Sequence, residues 1–87
     1  MIEREVMIRN RTGLHTRPAA TLVKTASRFK SEFLIYKDDM EINGKSIIGV
    51  MTLAAEQGSV LRLRFRGTDE EEAADAVVAL FESGFDE

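Results

Sequence analysis

Leu61-Arg62-Leu63-Arg64-Phe65-Arg66 alternates apolar and basic residues over six consecutive positions. Period two belongs to a β-strand, whose successive side chains point to opposite faces. The run predicts a strand that buries Leu61, Leu63 and Phe65 on one face and leaves three arginines in water on the other. A sheet wet on one face needs helices on its other face, and the neighbouring segments supply them. Gly58 marks the turn before the strand. Gly67-Thr68-Asp69 leads into a helix with Glu70, Glu71 and Glu72 in or near its first turn, where the helix dipole favours acid. Ala74, Val77, Val78 and Phe81 form the inner face of that helix.

The pattern extends towards the start of the chain. Residues 2–8 alternate, with Ile2, Val6 and Ile8 opposite Glu3 and Glu5, and predict a half-buried strand. Asn10 to Gly13 carries turn residues. From Thr16 to about Phe29 the apolar residues Ala19, Leu22, Val23, Ala26 and Phe29 fall at helical spacing. Phe33 to Tyr36 is a short β-prone run, Lys37-Asp38-Asp39 a polar turn, and Met40 to Ile42 a return strand. Asn43-Gly44 is suited to a tight turn. Ser46 before Ile47, Ile48, Val50, Met51 and Leu53 reads as the N-cap of another helix. The order is βαββαβα. It predicts an α+β open-faced sandwich, a four-stranded antiparallel sheet with three helices on one face.

At 87 residues, without repeats or low-complexity stretches, the chain reads as one small domain. No apolar run approaches the ~18 residues of a membrane span, and Met1 to Glu5 does not read as a secretory leader. The absence of cysteine excludes disulfides and thiolate metal sites. Together these features predict a cytoplasmic protein. The net charge of −3 is unevenly spread. Residues 1–30 hold seven Arg and Lys against two Glu, whereas residues 31–87 hold five against thirteen Asp and Glu. A basic first third attracts an anionic ligand or an acidic partner. Its basic residues are not interleaved with aromatics and the whole chain is acidic, so no nucleic-acid partner is expected.

Gly13-Leu14-His15-Thr16-Arg17-Pro18 contains the only histidine, between a strand and a helix. A neutral imidazole has a free lone pair on one nitrogen and is a competent nucleophile toward phosphorus. The start of a helix offers unpaired backbone N–H groups and a partial positive charge to phosphate oxygens. Arg17 adds charge-assisted hydrogen bonds, and Pro18 suits the first turn, where no N–H is needed. The plain alternative is a histidine that caps the helix or merely lies on the surface. Metal binding lacks a second histidine, a Ser-His-Asp triad lacks room for a substrate pocket, and Gly44 and Gly49 do not make a phosphate-cradling loop. Asp69 to Glu72 reads as a solvated helix start. Ser46 needs no role beyond capping, yet a phosphate there is tolerated by the helix and places roughly two negative charges beside Ile47, Ile48 and Met51. Those residues are more apolar than a short helix requires, so some are core and others a docking patch.

Thr12 to Ala20 and Asn43 to Met51 together resemble the two signatures of the histidine-containing phosphocarrier (HPr) family of the bacterial phosphoenolpyruvate:sugar phosphotransferase system. The first resembles its phosphohistidine signature and the second its regulatory serine signature, at the family's separation. The resemblance covers essentially the whole chain and implies one such domain over residues 1–87. It implies that His15 takes a phosphoryl group on Nδ1 from phosphorylated enzyme I, which draws it from phosphoenolpyruvate. His15 then passes it to an enzyme IIA component for sugar uptake. Arg17 stabilises the group in transit, and the backbone of Thr16 and Arg17 binds it. The resemblance further implies that Ser46 is the target of an HPr kinase/phosphorylase, which would slow transfer from enzyme I and admit regulatory partners, transcriptional regulators among them. The Ile-Ile-Gly-Val-Met run resembles the form that has this kinase. By the same resemblance Leu14, Ala20, Lys24, Ile47, Ile48 and Met51 are expected to form the docking surface.

The resemblance also implies a carrier rather than an enzyme, without cofactor or metal, not inserted in a membrane. A carrier that presents one face to several partners is expected to be monomeric. Thr16 stands where the family usually has alanine, and its hydroxyl can bond the phosphoryl group or compete for a backbone donor. Ser27, where many members have a basic residue or serine, decides nothing. Two further readings stay open: a regulatory module whose phosphorylation state is the signal, and a structural or nucleic-acid-binding domain.

Overall fold

A computed structural model describes residues 1–87. The strands are β1 (Ile2–Met7), β2 (Glu32–Lys37), β3 (Met40–Asn43) and β4 (Val60–Arg66), and the helices are α1 (Thr16–Ala26), α2 (Ile47–Thr52) and α3 (Glu70–Glu82). The sheet order is β1-β4-β2-β3, with every neighbouring pair antiparallel. This is the expected open-faced βαββαβα sandwich. No helix is long and apolar enough to cross a membrane.

β4 lies inside the sheet because both its neighbours read its alternation. Leu61 is opposite Val6 of β1, Leu63 is opposite Ile35 of β2, and Phe65 is opposite Phe33. The rings of Phe33 and Phe65 stack with centroids 4.7 Å apart. Leu61, Leu63, Phe65, Phe33 and Ile35 are all buried, covered by Ala19, Leu22 and Ala26 of α1, Val50 of α2, and Ala73, Ala74, Val77 and Phe81 of α3. On the wet face the Arg62 and Arg64 guanidinium groups lie over the Tyr36 ring, at 4.8 and 5.9 Å from its centroid.

The strands match the sequence reading to within a residue at each end, and two larger departures occur. α1 stops at Ala26 rather than near Phe29. Its end tightens into i to i+3 bonds, from Arg28 N–H to Thr25 O and Phe29 N–H to Ala26 O, both at 3.2 Å. This turns the chain towards β2 and still packs Phe29 against the core. The second difference is a 3₁₀ turn after α3, Gly84–Asp86, which no periodicity announced. It folds Phe85 back so that its ring meets Phe81 edge-on at 5.1 Å.

Asp69 ties the start of α3 to the start of β2. It makes no side-chain cap bond to its own helix. Its carboxylate instead accepts the backbone N–H of Lys30 at 2.8 Å, that of Ser31 at 2.9 Å, and the Ser31 hydroxyl. The hydroxyl bond, followed by the Lys30 N–H, holds the carboxyl below its ordinary pKa against a partial desolvation that acts the other way. A lowered value means stability that is complete above the unfolded carboxylate range near ~3.9 and is lost as pH falls through the folded value. Asp69→Asn should therefore be less stable than the parent at pH 7, with the difference shrinking below about pH 4. Urea midpoints of both proteins from pH 7 to 3 check this, and a constant difference would contradict it.

Candidate phosphoryl-acceptor site

His15 is the N-cap of α1, in extended backbone at φ −76° and ψ −174°. Its carbonyl accepts the Ala19 N–H at 2.9 Å, but its imidazole makes no cap bond. The ring is thus free of the structural task that the plain reading gave it. Pro18 has no N–H, and Ala19 is the first amide of the helix to find its partner within it. The amides of Thr16 and Arg17 have no carbonyl partner and lie at the positive end of the dipole.

The chain reaches this point through a tightly fitted turn. Gly13 N–H donates to Asn10 O at 3.2 Å and Leu14 N–H to Ala55 O at 2.9 Å. Gly13 has φ +67°, and a Cβ there would sit 2.4 Å from Ala55 O. Glycine alone satisfies both the backbone conformation and the approach. Thr12, Leu14, His15, Met51, Ala54, Ala55 and Glu56 line a hollow of about 350 Å³. The imidazole and the second helix therefore share one recess.

Ser46 caps α2 as expected, its Oγ accepting the Gly49 N–H at 3.1 Å. The preceding turn is closed by Ser46 N–H to Asn43 O at 3.1 Å and Lys45 N–H to Asn43 Oδ1 at 2.9 Å. A Cβ on Gly44 would lie 2.2 Å from the Phe33 ring, so the turn needs a residue without a side chain to rest on that ring. Lys45 reaches back to donate to Phe29 O at 2.6 Å. Burial divides the apolar run of α2. Val50 and Leu53 enter the core, whereas Ile47, Met51 and above all Ile48, at 81% exposure, face solvent. Ala20 and Lys24 are exposed on α1, which packs against α2.

Two expected site residues sit differently. Leu14 is only 4% exposed and belongs to the core, so its side chain is an anchor rather than an open docking contact. Arg17 is exposed and has no ion-pair partner. It lines a separate hollow of about 410 Å³ with Pro18, Thr21, Phe85, Asp86 and Glu87 rather than the recess of His15. Asn10, Ala54, Ala55 and the last residues of the chain complete the surroundings and were not read as site residues. Asn10 was visible only as a turn residue, and Phe85 went unread.

The residues 2–83 match the family model described as PTS HPr component phosphorylation site. The chain belongs to this family. It is 47% identical over 87 residues to a phosphocarrier protein HPr of Xylella fastidiosa, covering 100% of this chain and 98% of the relative. It is also 46% identical over 82 residues to an HPr-like protein Crh of Halalkalibacterium halodurans, covering 94% and 98%. The crystal structure of HPr-C-His from Thermoanaerobacter tengcongensis superposes with a TM-score of 0.97 at 50% identity, covering 100% and 98%. The protein is thus a phosphocarrier of the phosphotransferase system rather than a catalyst, and membership of the family implies partners such as enzyme I and enzyme IIA.

Ala54 offers a test of the geometry behind the recess. It follows α2 in left-handed backbone, φ +49°, and its N–H closes the helix onto Met51 O at 3.1 Å. A left-handed conformation costs an L-residue roughly 1–2 kcal/mol, whereas the extra freedom of unfolded glycine returns roughly 0.4–1 kcal/mol of that. The Ala54 side chain is exposed, so little packing is lost. Ala54→Gly should therefore gain about 0.5–1 kcal/mol, read as a higher urea midpoint at unchanged slope. An equal or lower midpoint would show that the backbone at 54 is not left-handed.

Proposed function

We propose that His15 is the phosphoryl acceptor, and the observation that carries this is an N-cap imidazole with no cap bond beside unpaired helix amides. The Nδ1 lone pair attacks phosphorus, a P–N bond forms on His15, and the bond joining phosphorus to enzyme I breaks. In the onward transfer a nucleophile of enzyme IIA attacks the phosphorus, a bond to enzyme IIA forms, and the P–N bond to His15 breaks. The unpaired amides of Thr16 and Arg17 receive the phosphoryl oxygens. Arg17, unpaired and exposed, swings towards the group as negative charge arrives. The Thr16 hydroxyl is a further donor at the same place.

Partners dock on Ile47, Ile48 and Met51 of α2 and on Ala20 and Lys24 of α1, with Leu14 fixing the base of this surface from within. Ser46 is the regulatory site, modified by an HPr kinase/phosphorylase and read by regulatory partners such as transcriptional regulators. Its hydroxyl already faces the Gly49 amide, so a phosphate there stays compatible with the helix start. The added charge lies next to the exposed apolar residues and repels an acidic partner face. Residues 1–87 act as one domain, monomeric, in the cytoplasm; the lack of cysteine fits a reducing compartment.

Incubation with enzyme I and phosphoenolpyruvate should add one phosphoryl mass that mild acid removes, and His15→Ala should take up none while remaining folded. Labelling of His15→Ala at the parent rate would rule out the assigned acceptor. Ser46→Asp keeps a helix cap but should lower the rate of phosphorylation by enzyme I, with the deficit narrowing as salt rises. An unchanged rate from low to high salt would refute a charge effect at the docking surface.

A further inference from the structure

Asn10 lies at the base of the turn that delivers His15 and is only 4% exposed. Its Nδ2 donates to Gly13 O at 2.7 Å, with longer contacts to Thr12 Oγ1 at 3.2 Å and Glu87 Oε1 at 3.4 Å. The Gly13 N–H donates in return to Asn10 O. One residue thus holds both the N–H and the C=O of the glycine whose φ must stay positive. The Asn10 Oδ1, by contrast, is buried with no donor, the only such side-chain atom in the protein. An unpaired buried acceptor is destabilising. Turning the amide over would not relieve it, because Oδ1 would then face Gly13 O, acceptor against acceptor. An apolar residue would remove the orphan oxygen but leave Gly13 O without its donor.

We propose that Asn10 is a positioning residue for phosphoryl transfer, holding the Gly13 carbonyl so that the Gly13-Leu14 peptide fixes the direction in which His15 faces an incoming phosphoryl group. The proposal rests on His15 being the acceptor. Leu14 N–H is held independently by Ala55 O, so losing Asn10 loosens the turn on one side without detaching it. Ile47, Ile48 and Met51 stand on α2, to which the Asn10 side chain makes no hydrogen bond. Recognition and transfer should therefore separate, because small errors of orientation cost rate more than affinity.

The test is steady-state phosphorylation by enzyme I and phosphoenolpyruvate, with this protein as the varied substrate and the labelled residue mapped in each case. Asn10→Ala removes the donor. Asn10→Asp keeps the shape and sets an acceptor against Gly13 O, and either variant that folds serves. Ile35→Val, a buried sheet change away from the turn, is the control for general loss of stability. All are assayed well below their unfolding temperatures. Asn10 variants should show kcat down about tenfold with KM little changed, while Ile35→Val keeps the parent kcat. Parent-like kcat in an Asn10 variant, a loss matched by Ile35→Val, or a change confined to KM would overturn the positioning role and leave the acceptor assignment standing. Labelling of the parent elsewhere than His15 would overturn both.

Discussion

The site depends on one buried side chain. Leu14 is anchored in the core between the buried Gly13 and the exposed His15, and its N–H is tied to Ala55 O. Full burial of a leucine contributes roughly 1.5–3 kcal/mol, enough to fix the peptide on which His15 stands. Pro18 and Ala19 are buried on the far side of the histidine. His15 is therefore a short exposed bridge between two anchored points. A group handed between partners benefits from this arrangement, since the imidazole is accessible while its backbone is held.

The sheet and the helices divide the work. β4 and its neighbours bury the aromatic pair Phe33–Phe65 and set the platform. Phe33 also supports the opposite end of the site, because its carbonyl accepts the Gly44 N–H at 2.8 Å and its ring carries the turn into Ser46. His15 and Ser46 thus begin two adjoining helices that rest on the same core. On the proposed reading, a charge placed at Ser46 acts on the surface from which His15 is reached, without any change of fold. Electrostatics at the surface is sufficient for such control.

Much of this was legible in the residues. The alternation of Leu61, Leu63 and Phe65 named the central strand, the helical spacing from Ala19 to Ala26 named α1, and Ser46 named its own cap. What was not legible depends on partners distant in sequence. The order β1-β4-β2-β3 rests on pairings such as Phe33 with Phe65, which no local pattern encodes. Leu14 has no periodic neighbours to mark it as core. Phe85 lies beyond the last helical repeat, in a turn that sets its ring against Phe81. The left-handed backbone at Ala54 is hidden because alanine is not the residue that usually signals it. Asn10 read as a turn residue, but its burial needed the packed structure to be seen.

The most direct measurement is ¹⁵N NMR of the imidazole after incubation with enzyme I and phosphoenolpyruvate. Phosphorus coupled to Nδ1 of His15, with amide shifts concentrated at the start of α1 and in the wall formed by Met51 to Glu56, is the expected result. An unmodified imidazole in a protein that has gained a phosphoryl group elsewhere would contradict the assignment of His15 as the carrier.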